Sequence, residues 1–258
     1  MTGVLRRAGI ATALPVVLVV VWWFASAGST DFYFPPLRTI VDVFPETWFG
    51  PRLVDDVLPS LGRLAVGYVC ALVLGMGLGM LIGSNRTLRQ LVEPLLEFLR
   101  AVPPPVLVPI LVLVAGIGNT MKVLVIISGC LWPVLLNTVE GVRAVDEVLA
   151  DTCRTYRIRG RLRWWHLVLR SASPQIVTGA RQALSVGIIL MVISEMFAAS
   201  SGLGYTVIQF KDGFQIPQMW SGVILLGLLG VLLSVLFRLA EHRVLGWYHG
   251  SRAVAKER

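Results

Sequence analysis

Charge is scarce in this 258-residue chain: Asp, Glu, Lys and Arg make up 15% of it, against about 25% in an ordinary soluble domain. With 55% hydrophobic residues and a mean hydropathy of +0.75, that shortage excludes a water-soluble globule. Cysteine is nearly absent too. Cys70 and Cys130 fall in apolar runs and Cys153 in a polar loop, so no pair suggests a disulfide framework or a metal site, and soft packing is the expected role. His166, His242 and His249 all lie in loop or tail positions. The chain has no Gly-x-x-x-x-Gly-Lys-Ser/Thr phosphate loop, no His-Glu-x-x-His and no Gly-x-Ser-x-Gly turn. Gly75-x-Gly77-x-Gly79 lacks the preceding strand and the spacing of a nucleotide fingerprint. Any energy this chain uses must come from another chain.

What is abundant is apolar sequence in long runs. Six of them, near 10–27, 61–83, 91–115, 121–141, 174–199 and 220–240, are long enough to cross roughly 30 Å of hydrocarbon. They predict an all-α membrane protein of six transmembrane helices, with residues 1–258 forming one domain. Arginine sets the orientation. Arg6, Arg7, Arg86, Arg89, the seven arginines between Arg143 and Arg170, and Arg238, Arg243, Arg252, Lys256 and Arg258 fall on one side. The other side carries Arg38, Arg52 and Lys211, with Arg63 and Lys122 at helix starts. The positive-inside rule puts both termini and the 143–170 loop in the cytoplasm. The net charge of +8 is therefore mostly topology, and the dispersed cations do not suggest a nucleic-acid partner. Arg6-Arg7 followed by Ala25-Ser26-Ala27 imitates a cleaved secretory signal, but the apolar stretch is too long and ends in Trp22-Trp23-Phe24. Residues 28–60 are acidic and proline-marked, and are expected outside with one amphipathic helix around Leu37–Trp48.

Small residues recur every four positions in span two (Gly67, Ala71, Gly75, Gly79, Gly83) and span five (Gly179, Ala183, Gly187), a spacing that lets membrane helices pack closely. Pro103-Pro104-Pro105 with Pro109, and Pro133, are expected to break or kink spans three and four. Glu195 is an acid inside an apolar helix. It either marks a functional interior position or, paired or protonated, ties helices together. Glu93, Glu97 and Arg100 sit nearer an interface, where headgroups, water or one another at helical spacing can satisfy them.

The 143–170 loop sets its arginines against only Asp146, Glu147 and Asp151 and interleaves them with large apolar residues, unlike a disordered basic tail. Asp146 is placed to cap a short helix carrying Val148, Leu149, Thr152, Cys153 and Tyr156, with Arg159-Gly160 as a stop. Ser173-Pro174 supplies an N-cap and first-turn proline for the next helix. Taken alone, the segment fits a membrane-surface loop as well as a docking element.

In its residues, 143–179 resembles the signature cytoplasmic loop of binding-protein-dependent permeases, the membrane subunits of type I ABC importers. In that family the loop reads Glu-Ala-Ala, three residues, Gly, nine residues, then Ile-x-Leu-Pro. Asp151-Thr152-Cys153 takes the first place, Arg157 that of the glycine, and Leu167-Val168-Leu169-Arg170 the closing tetrad. Arg100 with its prolines, Gly116-Ile-Gly118-Asn119, Pro133 to Thr138, Glu195-Met196 and Gly202-Leu-Gly204-Tyr205 extend the similarity and look like the nitrate, sulfonate and taurine branch.

The resemblance implies a permease subunit of an ATP-driven importer in the bacterial plasma membrane, forming half of the path for a small solute. It also implies coupling to separate ABC ATPase subunits through Asp146, Leu149, Asp151, Thr152, Cys153, Tyr156, Arg157, Gly160, Leu167 and Leu169. A second permease, identical or not, and an extracytoplasmic substrate-binding protein complete the set. ATP and Mg would sit on the partner, with no cofactor on this chain. Path candidates are Glu195, Met196, Pro133 and Asn137. Arg157 and Arg170 depart from the family pattern, and Arg157 would be strained wherever φ is positive. The competing readings are an intramembrane enzyme using Glu195, for which no catalytic partner is evident, and a passive channel.

Overall fold

In hydrocarbon no water bonds the backbone, so apolar runs satisfy their N–H and C=O groups within helices. The computed structural model describes residues 2–197 and 199–248, with side chains from Ala13 onward. The side chains of Arg6 and Arg7, and Arg252, Lys256 and Arg258, five of the cations assigned to the cytoplasmic side, lie outside the described residues, as does His249.

Every described element is helical. In order they are α1 (Thr2–Ser26), α2 (Leu37–Trp48), α3 (Leu58–Ser84), α4 (Arg86–Ala101), α5 (Leu107–Ala115), α6 (Asn119–Arg143), α7 (Glu147–Thr155), α8 (Gly160–Arg163), α9 (Leu169–Phe197), α10 (Leu203–Asp212) and α11 (Ile216–Val244). A π-helical turn over Leu53–Val57 runs directly into α3, and another over Trp164–Val168 joins α8 to α9.

Among the described residues four helices are long and apolar enough to cross a membrane: Leu53–Ser84, Asn119–Arg143, Gly160–Phe197 and Ile216–Val244. The run expected as one span over 91–115 is instead two helices, Arg86–Ala101 and Pro104–Ala115, bent by 74°. Consecutive prolines at 103, 104 and 105 remove three N–H donors and fix φ, so the chain turns there. Together that pair would make a fifth crossing. The described apolar stretch of α1, Ala13–Ser26, is shorter than a full crossing.

The core is α6 packed between α3 and α9. Gly67, Gly75, Gly79 and Gly83 of α3 face Ile126, Val134, Thr138 and Val142 of α6, a constant register that makes the two helices parallel. α9 runs antiparallel to α6, placing Gly179 on Pro133 and Asn137 and Gly187 on Cys130. A Cβ at Gly179 would stand 2.6 Å from the Pro133 carbonyl oxygen, which is backbone and cannot yield. The small-residue stripes thus do what their spacing predicts.

Two local expectations fail. Ser173 caps nothing and Pro174 lies inside a helix that runs unbroken from Gly160 to Phe197. Proline at 174 leaves the Arg170 carbonyl without its helical donor, and the Ser173 hydroxyl donates to that oxygen at 2.8 Å, so the helix survives. Arg63 and Lys122, counted as polar helix starts, are 6% and 3% exposed, buried within the bundle.

Candidate functional site

Three polar assemblies stand out in the apolar bundle. The first is the elbow formed by α7 and α8, which buries no residue. Asp146 caps α7 as its position predicts, its Oδ1 accepting from the Leu149 N–H at 3.0 Å. α7 ends on Arg157, one of two non-glycine residues with positive φ among those described, at +53°. The Ile158 N–H donates to the Cys153 carbonyl at 2.8 Å and the Arg157 N–H to that of Arg154 at 3.0 Å, the paired bonds of a Schellman ending. Arginine therefore occupies the left-handed cap a glycine would fill more cheaply. Val148, Leu149 and Tyr156 are more than half exposed, and Asp151, Thr152, Arg157 and Gly160 are exposed as well. Cys153 and Leu169 are half-buried and Leu167 is buried, so these three tie the elbow to the bundle. An amphipathic helix with its apolar side chains uncovered is built for a partner.

The second assembly is a cleft of about 520 Å³ between α4, α6 and α9. Pro133 and Asn137 line it, beside Trp132, Gln182, Glu97 and Arg100. The Asn137 amide donates to the Pro133 carbonyl at 2.8 Å and to Gln182 Oε1 at 3.3 Å. Glu97 accepts from Arg100 Nε at 2.8 Å, the mutual satisfaction their spacing suggested. The cleft is thus lined by amides and a compensated ion pair.

The third assembly surrounds Glu195, which is 0% exposed. Its carboxylate accepts from the Ser60 hydroxyl at 2.7 Å, from the Gly204 N–H at 3.0 Å and from the Arg63 guanidinium. Ser60 in turn accepts from the Leu203 N–H at 3.0 Å, and Asp56 accepts from the Gly202 N–H at 2.9 Å. Lys122 lies in the field of both Arg63 and Glu195. Gly202 has φ +123°, and a Cβ there would meet the Glu195 carboxylate at 2.5 Å, so only glycine fits the turn. Sequence reasoning found Glu195 but missed Arg63 and Ser60. The signal available was their spacing of three in one helix, with a cation inside an apolar run. Met196, the neighbouring candidate, is 41% exposed and points away from this cluster. The cluster is not built for covalent chemistry: Ser60 is fully buried and its hydroxyl is already bonded to Glu195 and Leu203.

The described residues form a helical bundle with a capped amphipathic elbow and a polar cleft between α4, α6 and α9. The chain belongs to the binding-protein-dependent transport system inner membrane component family, whose model matches residues 71–246. It is a permease subunit of an ABC importer. The taurine transport system permease protein TauC of Escherichia coli is 26% identical over 94% of this chain and 91% of its own length. SsuC of the same organism, named for aliphatic sulfonates transport, is 30% identical over 92% of each. The nitrate import permease protein NrtB of Synechocystis is 26% identical over 84% of this chain and 82% of its own. The fold is that of the inward-facing MetNI methionine ABC transporter, matched with a TM-score of 0.62 over 75% of this chain and 94% of that one, at 20% identity.

Proposed function

We propose that this permease imports a small anion of the sulfonate or nitrate class, delivered by an extracytoplasmic binding protein and driven by ATP hydrolysis on a separate ATPase chain that holds ATP and Mg. The elbow carries the reading: α7 is capped at both ends yet buries nothing, and it leads into a 38-residue helix reaching the far end of the bundle. Asp146, Leu149, Asp151, Thr152, Tyr156 and Arg157 form the ATPase seat, with Cys153 at its inner edge toward the bundle. Gly160, Leu167 and Leu169 join it to α9. Both termini and residues 143–170 face the cytoplasm, the α4–α5 pair forms one bent crossing, and α1 completes six.

Two permease chains enclose the path, with Pro133, Asn137 and Gln182 among its lining residues. Arg157 keeps the cap geometry of a regular elbow, which favours a second copy of this chain over a non-identical partner. Glu195, held by Ser60, Arg63 and Gly204, ties α3 to α9 and α10 rather than lining the path. Uptake of labelled taurine, an alkanesulfonate and nitrate into proteoliposomes holding the permease, its ATPase and its binding protein tests the substrate class. Saturable, ATP-dependent uptake of at least one of these anions is expected, and uptake of none of them would overturn the class.

A further inference from the structure

Where the elbow meets the bundle, a second cavity of about 440 Å³ opens between α7, α8, the start of α9 and the chain just after α11. Its walls are apolar: Leu149, Cys153, Ile158 and Leu167, with Trp247 from beyond α11. Two cations, Arg163 and Arg170, stand in the same lining. Neither pairs with a carboxylate among the described residues, and the Arg163 Nε–H is buried without a hydrogen-bond acceptor there. A buried donor on a charged group is costly when unpaired, so its surroundings are complete only with an acceptor in the cavity.

The level of this cavity is also informative. It sits at the end of the two apolar helices α9 and α11, flanked by Trp164, Trp165 and Trp247, which are 41%, 55% and 50% exposed. Tryptophans at the ends of membrane-crossing helices mark the headgroup zone. An apolar slot lined with arginines at that depth matches a molecule with acyl chains and an anionic head, and basic pockets between helices on the cytoplasmic side are a recurrent headgroup site.

We propose that this cavity binds an anionic phospholipid, its phosphate taken by Arg163 and Arg170 and an acyl chain lying against Leu149, Ile158 and Trp247. The lipid would then be a wedge under the elbow, holding α7 at a fixed angle to α9. The proposal rests on the reading that the elbow lies at the cytoplasmic surface. It does not require the ATPase to be bound.

The test is native mass spectrometry of the purified full-length permease after exchange into neutral phosphatidylcholine doped with phosphatidylglycerol. The wild type is expected to retain phosphatidylglycerol selectively, and Arg163→Gln and Arg170→Gln each to weaken retention about fivefold, the weight of one basic side chain at an anionic surface. Glycerol 3-phosphate and inorganic phosphate should not compete, which separates a lipid from a free anion. Maleimide modification of Cys153 should slow when phosphatidylglycerol is present, a readout that stands even where a variant purifies poorly. Equal retention in wild type and both variants would overturn the proposal, as would full competition by inorganic phosphate. Loss of the ATPase from the variants with lipid retention intact would also overturn it and assign the arginines to the partner. An Asp151→Arg variant that loses the ATPase while retaining lipid would leave this site standing and separates its fate from that of the docking surface.

Discussion

The elbow and the Glu195 cluster stand at opposite ends of one helix and solve opposite problems. From Leu169 to Glu195 is 26 residues, about 39 Å of helix at 1.5 Å per residue. At the Glu195 end, Ser60, Arg63 and Glu195 are all buried and tied by direct hydrogen bonds to one another and to the turn before α10. At the elbow end, α7 and α8 bury nothing, and α7 is held by its two caps and the exposed Asp151–Arg154 ion pair. A buried charge pair is costly to separate, whereas a capped surface helix is held by about a kilocalorie at each end. The difference is one of anchoring: the far end is clamped by buried contacts, the elbow end is exposed, and α9 joins them without a break.

The clamp is broken most severely by removing one of its charges. Arg63→Met leaves the Glu195 carboxylate buried without its cation and should cost about 3–5 kcal/mol, read as loss of folded protein in detergent. Adding Glu195→Leu to that variant should restore part of the loss, because it removes the uncompensated carboxylate but leaves the Ser60 hydroxyl, the Gly204 N–H and Lys122 without their acceptor. Failure of the second substitution to rescue would show that the carboxylate does more than hold helices together. The next effect is on the packing that carries motion between the two ends. Gly179→Val forces a side chain against the Pro133 carbonyl, and overpacking of this kind costs about 1–3 kcal/mol. The α6–α9 cysteine cross-link yield, measured across Asn137 and Gln182, should fall with it.

At the elbow the effects are smaller and of both signs. Asp146→Ala removes the cap and should destabilise α7 by about 1 kcal/mol, with faster amide exchange confined to residues 147–156 and the bundle unchanged. Arg157→Gly should do the reverse. Its left-handed backbone costs an arginine about 1 kcal/mol that glycine does not pay, so exchange in α7 should slow. If Arg157→Gly left α7 less protected, the arginine side chain would be contributing to the elbow beyond its backbone.

Much of this fold was legible from apolar periodicity because lipid leaves the backbone few options. Four long helices, α2 at Leu37–Trp48, the proline break before α5 and the Asp146 cap all follow from local sequence. What sequence missed was decided by tertiary contact. Ser173-Pro174 carries a helix-start signature, yet the Ser173 hydroxyl repairs the bond that proline removes and the helix continues through it. Arg63 and Lys122 read as surface cations because nothing local announces that a carboxylate 132 residues away will meet Arg63. Met196 follows Glu195 directly but lies outside the buried cluster, since adjacent residues on a helix do not share a face. The elbow was legible as an amphipathic helix. What covers its exposed side is not written in this chain.

The central claim is that this chain moves its solute only when a separate ATPase engages the elbow. The most direct measurement is uptake into proteoliposomes containing the permease, its ATPase and its binding protein, with and without internal ATP. It should be made for the wild type and for a variant carrying Asp151→Arg and Tyr156→Asp. The account predicts uptake by the wild type only with ATP, loss of both uptake and ATPase retention in the variant, and an unchanged melting temperature, because neither side chain is buried. Uptake without ATP would contradict it, and so would full ATP-driven uptake by the variant.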